Sequence, residues 1–595
     1  MHNKNQDDLL SWWREARFGL FIHWGLYAVH GGMWKGRELP GIGEWLMAQF
    51  KVPLAEYRTL ADRFNPIHFD ADQIAALAAQ AGMKYLVITA KHHEGFAMWD
   101  SKVSDYSIVK ATPYKRDPMK DLSAACAKHG LRLCFYYSQA LDWEHPDGGG
   151  NDWDFDESAK IFQRYLDEKV KPQLRELLTG YGPIGLIWCD TPKYITREQS
   201  ADLKQFIQSI QPDCLVSGRI GHGLGDYGSL GDNQIPAGRL KGDWETPATI
   251  NNTWGYKTND HHWKSPDTLL RLLVDLASKG VNYLLNIGPD AEGRIPQPSV
   301  DCLKAIGAWM DINRQAIHET SANPYPYEFD WGRITQKGNT LFLILTDPQP
   351  GPFRLNGLHT VARSARWLHD GTQIPLAQEH HDNDQHHTLT LDFGDTLPDT
   401  LRPIVCAVEL DGPAVVDERC MQQPDGVVLL PAHMATLHIS EESRKQVRPM
   451  ESNNQFAAIQ GEAANLTQPD HMTIGYGGLI ERWTHTRDWI EWTFHIFEPG
   501  DYHVMIHTVA AKYQDWVGGH TMNVACAQQQ LETDITPDEE ITQPRAHLFA
   551  ERATRAGKLH LERAGSYTLH LRATRINDKD PAGCCVGGIR MIPAT

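Results

Sequence analysis

The most constraining feature of the chain is an apolar run that stops abruptly on reactive side chains, and it occurs twice. Leu186-Ile187-Trp188-Cys189 ends on the lone carboxylate Asp190, and Tyr85-Leu86-Val87-Ile88-Thr89-Ala90 ends on Lys91-His92-His93. Helix patterns separate such runs. Asp70 is placed to cap a helix through Ile74–Ala81, which Gly82 stops before the run at Tyr85. Asp117-Pro118 opens a second helix, and Gly130 closes it before Leu131–Tyr137. A third, roughly Glu157–Leu178, leads to Gly185–Cys189, and a fourth, roughly Arg197–Ile210, leads to Cys214–Ser217. Ser265-Pro266 opens another that ends at Gly280, before Val281–Asn286. With Phe18–Ile22 these make six strand signals set between helices, the pattern of a parallel sheet. No Gly-x-Gly-x-x-Gly turn follows a strand, which favours a closed (β/α)8-like TIM barrel over an open sheet. Two strands of an ideal eight give no signal, so an irregular barrel is expected. Chemistry at strand ends is where such a barrel carries its active site.

At 595 residues the chain exceeds one core. The barrel is assigned to residues 1–322. Beyond it, Thr340–Thr346, His387–Phe393 and Pro403–Leu410 alternate apolar and polar residues between turns, which reads as a β-sandwich over 323–440. Glu441–Asn454 is polar and reads as a linker. Trp489–Phe494, Tyr502–His507 and Ser566–Leu571 mark a second β-sandwich over 455–595.

A formal net charge of −18 argues against nucleic acid and anionic membrane surfaces, whose phosphates are bound by Lys and Arg. No run of about 18 apolar residues is found, so no membrane span is expected. The first residues lack an apolar signal-peptide core, which, if the chain is complete, points to a cytoplasmic protein. The ten cysteines show no paired spacing and read as mostly reduced. No zinc-ligand spacing occurs, and no metal or cofactor is expected. The sequence leaves a homo-oligomer open.

Asp190 follows Ile-Trp-Cys, where a charge is costly unless solvated or hydrogen-bonded. A catalytic carboxylate is the functional reading, and a helix N-cap before Thr191-Pro192 the structural one. His92 and His93 are sequential, and strict strand alternation would point them apart. They share a pocket if the strand has ended, which Glu94-Gly95 allows. His23, inside an apolar strand, reads either as a ligand-binding residue or as a satisfied core histidine.

Six motifs carry a resemblance. Phe18-Gly19-Leu20-Phe21-Ile22-His23-Trp24-Gly25, Lys91-His92-His93-Glu94-Gly95-Phe96 with Trp99-Asp100-Ser101, Phe135-Tyr136-Tyr137-Ser138, Trp188-Cys189-Asp190, Trp254-Gly255-Tyr256 and Leu285-Asn286-Ile287-Gly288-Pro289 occur in that order. Over about residues 10–320 the chain resembles the family 29 α-L-fucosidases. The resemblance implies an exo-acting, retaining hydrolase that releases fucose from a fucosylated glycan through a covalent fucosyl-enzyme, with Asp190 as nucleophile. It implies fucose-binding roles for His23, Glu44, Trp45, His92, His93, Tyr137, Trp188 and Arg219, with Trp254 near the sugar methyl. Imidazoles and a guanidinium suit donation to hydroxyls, Glu44 suits acceptance, and Trp faces suit the ring and its C6 methyl.

The acid/base is less fixed. Relatives resemble Asp-Tyr-x-Thr-Pro-Glu after the Arg219 strand, where this chain has Asp232 in place of that Glu. Asp232 is favoured on that position over Glu245, in Asp243-Trp244-Glu245-Thr246, with Glu44 third. Two other readings stand beside the fucosidase: a barrel glycosidase for a different sugar, and a non-catalytic carbohydrate-binding protein. Glu462, Trp483, Trp489, Trp492 and Trp516 could serve a carbohydrate-binding module in the last domain, or simply pack it.

Overall fold

The computed structural model describes residues 6–236, 238–381, 386–449, 467–475, 478–510, 515–541, 550–580 and 582–594. Eight parallel strands form the first domain: β1 (Phe18–Ile22), β2 (Tyr85–Lys91), β3 (Arg132–Tyr137), β4 (Leu186–Cys189), β5 (Leu215–Val216), β6 (Gly228–Ser229), β7 (Trp244–Thr249) and β8 (Val281–Ile287). Their lateral order is β5-β4-β3-β2-β1-β8-β7-β6, so each pairs with its neighbours in sequence. The remaining gap, between β5 and β6, is bridged by Ser217 and Tyr227 in parallel pairing. The sheet therefore closes into a (β/α)8-like TIM barrel.

The two strands without a sequence signal are β6 and β7. β6 has only two residues, and β7 carries Glu245 and Pro247 where an apolar run would stand. Between β5 and β7 a single 3₁₀ turn, Gly218–Ile220, replaces the usual helices among the described residues. Elsewhere the helices form where their caps predict. Asp70 accepts the Gln73 N–H to start α1 (Ala71–Gln80), and Asp117 accepts from Met119 and Lys120 to start α2 (Pro118–His129). Gly130 ends α2 at φ +70°, a left-handed conformation that only glycine adopts without strain. The expected Glu157–Leu178 helix is broken. A 3₁₀ turn at Glu157–Ala159 and a short helix at Phe162–Tyr165 precede a π turn, Leu166–Val170, and then α3 (Lys171–Gly180). Pro172 lacks the N–H that a continuous α-helix would use there. α4 (Arg197–Ile210), α5 (Pro266–Ser278) and α6 (Gln297–Asn313) complete the shell.

Strand alternation divides the core in two. Phe21, Val87, Cys134, Tyr136, Trp188 and Leu284 cluster inside the barrel. Their sequence neighbours Leu20, Ile88, Phe135, Tyr137, Ile187 and Leu285 pack outward against the helices.

Two antiparallel layers follow. A five-stranded sheet contains Gly332–Lys337, Thr340–Leu345, Ile404–Leu410, Ala362–Trp367 and Gln373–Ile374; a three-stranded sheet contains Pro352–Asn356, His386–Asp392 and Leu376–His381. Alternation again sets the contacts: Phe342, Ile344, Val405 and Ala407 join the barrel's outer core, while Leu341, Leu343, Cys406 and Val408 face the sandwich interior. Trp309 of α6 donates to the Pro403 carbonyl at 2.8 Å across this junction. The last domain is a pair of larger sheets. Cys420–Met421, Val428–Pro431 and Thr436–His438, placed by sequence within 323–440, pair instead with Trp489–Ile496 and Cys584–Pro593 of these sheets. Within the expected linker, Val447–Pro449 pairs with Thr467–Pro469. Glu462 lies outside the described residues.

Trp483 and Trp492 are core residues. Trp489 is stacked by His438 at 3.7 Å and covered by Arg572 at 4.1 Å, from the two flanking strands. Trp516 is half-buried and donates to Thr508. Among the described residues no helix is long and apolar enough to cross a membrane.

Candidate active site

Asp190 is the first residue past β4, on the same side of the strand as Trp188, and so sits at the C-terminal mouth of the barrel. It is no helix cap. Its backbone N–H donates to Gln139 at 2.8 Å, which turns the carboxylate inward. Oδ2 accepts from the Tyr136 hydroxyl at 2.9 Å and Oδ1 from Arg219 at 2.9 Å, with His93 Nε2 at 3.6 Å from Oδ2. Burial pushes the carboxyl up, but the charges of Arg219 and His93 and the hydrogen bonds from Arg219 and Tyr136 outweigh it and hold the group below the usual carboxylate range.

Arg219, on the turn after β5, ties the two acidic candidates together. Its Nη1 holds Asp190, and its Nη2 holds Asp232 at 2.5 Å. Nε reaches Ser229, and the guanidinium lies 4.7 Å above the Trp188 ring. Asp232 is the more open of the two carboxylates, its side chain 28% exposed against 13% for Asp190.

Glu245 occupies a different place. It is fully buried and pairs in register with Ser229 on β6 and Asn282 on β8, near the strand starts and beneath the pocket. Oε1 accepts from the Trp188 indole at 2.7 Å and from Tyr227 at 3.4 Å, and Oε2 accepts from Tyr85 at 2.8 Å. Burial raises this carboxyl to about 7 against those three bonds. The arrangement depends on Gly19, because a Cβ there would lie 2.4 Å from the Tyr85 ring.

The histidines follow β1 and β2. β2 ends at Lys91, so His92 and His93 are free of strand alternation and reach one pocket, with ring centroids 4.2 Å apart. His23 Nδ1 faces Asn286 Oδ1 at 2.7 Å, and Asn286 spends its N–H on the Trp254 carbonyl. His23 must therefore donate through Nδ1, leaving Nε2 as an acceptor. His93 is alike: Ser138 donates its proton to the Leu141 carbonyl, so it accepts from His93 Nδ1 at 2.7 Å. Burial lowers both imidazoles to about 4. These two rings are thus set to accept from hydroxyls, where sequence reasoning treated all three as donors.

The other expected residues separate. Trp254 packs 5.0 Å from His23, and Trp45 sets its edge 5.2 Å from His93. Glu44 accepts the Gly255 N–H at 2.9 Å, and burial raises it to about 7. Tyr137 is not in the pocket. It points outward, donating to Gln173 of α3 at 2.8 Å under Lys91. Its neighbour Tyr136, which pairs in register with Trp188, takes the inward place. No signal in the sequence chose between them, because the strand is buried on both faces. Gln139, Ser138 and Asn286 also escaped sequence reasoning. One ligand atom each from His92, His93 and Asp190 falls within 4.8 Å, but both Asp190 oxygens are already engaged by Tyr136 and Arg219, and we assign no metal to them.

Comparison with known proteins assigns the barrel to a family. A family model for α-L-fucosidase matches residues 1–315. The plasma α-L-fucosidase of Rattus norvegicus is 32% identical over 337 residues, covering 52% of this chain and 71% of the relative. The α-L-fucosidase of Vibrio sp. strain EJY3 superposes with a TM-score of 0.83 at 29% identity, over 99% of this chain and 100% of that one. Isoenzyme 1 from Paenibacillus thiaminolyticus gives a TM-score of 0.60 at 33% identity, covering 68% of this chain and 99% of that one. With its barrel matched end to end, the chain belongs to the α-L-fucosidase family, glycoside hydrolase family 29.

Proposed function

We propose that this exo-α-L-fucosidase works by retaining double displacement, with Asp190 as nucleophile and Asp232 as acid/base. The observation that carries the reading is the shared guanidinium: Arg219 binds Asp190 with one terminal nitrogen and Asp232 with the other. A shared guanidinium gathers both carboxyl groups at one site, as a retaining pair about 5–5.5 Å apart requires. In the first step an Asp190 oxygen bonds to the anomeric carbon while the glycosidic C–O bond breaks, and Asp232 passes its proton to the leaving oxygen. In the second, Asp232 takes a proton from water, water oxygen bonds to the same carbon, and the ester to Asp190 breaks. Arg219 and Tyr136 keep Asp190 ionised and aimed.

His23, His92, His93, Glu44 and Arg219 would grip the fucose hydroxyls, with Trp188, Trp45 and Trp254 around the ring and its methyl. Glu245 serves as a support for Trp188, since its oxygens are spent on buried donors. The substrate is a fucosylated glycan, and the net charge of −18 speaks against a nucleic-acid partner. The ten cysteines are free thiols, nine of them buried, which supports a reducing, cytoplasmic setting. Proton NMR of the first product tests the mechanism: α-L-fucose appearing before the β anomer supports it, and β-L-fucose first overturns it.

A further inference from the structure

Glu94 is buried two residues beyond His92, and the two side chains face each other. His92 Nδ1 and Glu94 Oε2 lie 3.6 Å apart, and each is a buried polar atom with no hydrogen-bond partner. Two such atoms side by side are costly unless they satisfy each other. Glu94 has little freedom to turn elsewhere. A Cβ on Gly25 would lie 2.5 Å from Glu94 Oε1, and the backbone N–H groups of Glu94 and Leu26 act on the carboxyl. His92 is fixed from its other side by stacking on Tyr136, ring planes 4° apart.

We propose that Glu94 is a positioning residue that fixes the tautomer of His92. Its carboxylic acid donates to His92 Nδ1, so that His92 carries its own proton on Nε2 and donates it to a fucose hydroxyl. The proposal rests on the reading of His92 as a sugar-binding residue.

Each partner is in the protonation state this requires. Burial holds the Glu94 carboxyl up at about 8, so it keeps its proton at neutral pH. Lys91, at the end of β2, and Asp142, on the loop after β3, act on it, and the buried Tyr27, Tyr57 and Tyr106 interact with it from other elements. Burial, with the Lys91 charge acting in the same direction, keeps His92 neutral, so the ring has one donor and one acceptor. A neutral acid can donate or accept, and the placement of its two oxygens decides: Oε1 packs against the Gly25 backbone, so the hydroxyl is assigned to Oε2, the oxygen that faces Nδ1, and Nδ1 is then the acceptor. The gap of 3.6 Å exceeds a formed hydrogen bond, and bonds of this kind tighten when the ligand fills the site. His92 thereby differs from His23 and His93, whose Nδ1 atoms donate to Asn286 and Ser138. The pocket would meet fucose with two imidazole acceptors and one imidazole donor, a pattern that discriminates hydroxyl orientation.

Histidine-selective nitrogen-15 NMR on the full-length chain with fucose bound reads the tautomer directly. The expected result is His92 protonated on Nε2, with His23 and His93 protonated on Nδ1. Glu94→Gln, whose amide still donates to Nδ1, should keep that tautomer and lie within about threefold of wild-type kcat/KM. Glu94→Leu should lose the tautomer and fall about tenfold, mainly through KM. A wild-type His92 protonated on Nδ1 would overturn the proposal, whether or not the leucine variant folds. So would Gln and Leu variants that are equally impaired with the tautomer unchanged.

Discussion

Trp188 donates its indole N–H to Glu245 across 2.7 Å, so a carboxylate sealed beneath the pocket holds the ring on which the Arg219 guanidinium rests. The relationship gives Glu245, an acidic residue whose motif drew attention in the sequence, a supporting place beneath the pocket. Three donors, from Trp188, Tyr85 and Tyr227, converge on one carboxyl that has no exposed surface.

Glu245 therefore affects stability in a pH-dependent way. Its folded value of about 7 exceeds the ordinary 4.5, so between those pH values the folded protein holds a proton that the unfolded chain has released. That contribution is complete below the unfolded value and is lost as pH rises through the folded one. Glu245→Gln removes the ionisation, so its stability relative to wild type should improve by on the order of 3 kcal/mol as pH is raised across that window. Urea denaturation at both ends of the window measures this, and Glu245→Ala, which strands three buried donors, should be destabilised throughout.

Asp232→Ala should lower kcat/KM by about 10²–10⁴-fold on a fucosyl disaccharide, whose leaving group needs protonation. The loss should be far smaller on an aryl fucoside with an acidic phenol. Azide should restore turnover and give α-fucosyl azide. Glu245→Gln should show neither the substrate split nor the azide product, and this contrast separates the acid/base from the supporting carboxylate.

Asn286→Asp should move the acid limb of the activity profile. A carboxylate beside Nδ1 stabilises the imidazolium form of His23, raising it from about 4. A protonated His23 has no acceptor at Nε2, so kcat/KM should begin to fall at a higher pH than in wild type as pH is lowered. A profile that coincides with wild type would mean that His23 does not accept from the sugar.

The barrel was legible because Asp70, Asp117 and Ser265 cap helices whose patterns alternate with apolar strands. β6 and β7 were not, since a two-residue strand and one bearing Glu245 and Pro247 carry no apolar period. Asp190, the paired histidines and Arg219 could be named from strand ends and motifs, and the fold brings them together. Tyr136 could not be told from Tyr137, because a parallel strand buried on both faces shows no alternation. Hydrogen-bond direction was also out of reach: that His23 and His93 accept through Nε2 follows from Asn286 and Ser138, which are distant in sequence or bonded through a third group.

The central claim is that Asp190 forms the bond to the anomeric carbon. Inactivation with a slow-hydrolysing fluorofucoside, followed by peptide mass spectrometry, tests it most directly. The account predicts one fucosyl adduct, on Asp190, and its absence in Asp190→Asn. An adduct on Asp232, Glu245 or any other residue, or turnover that continues with nothing labelled, would contradict it.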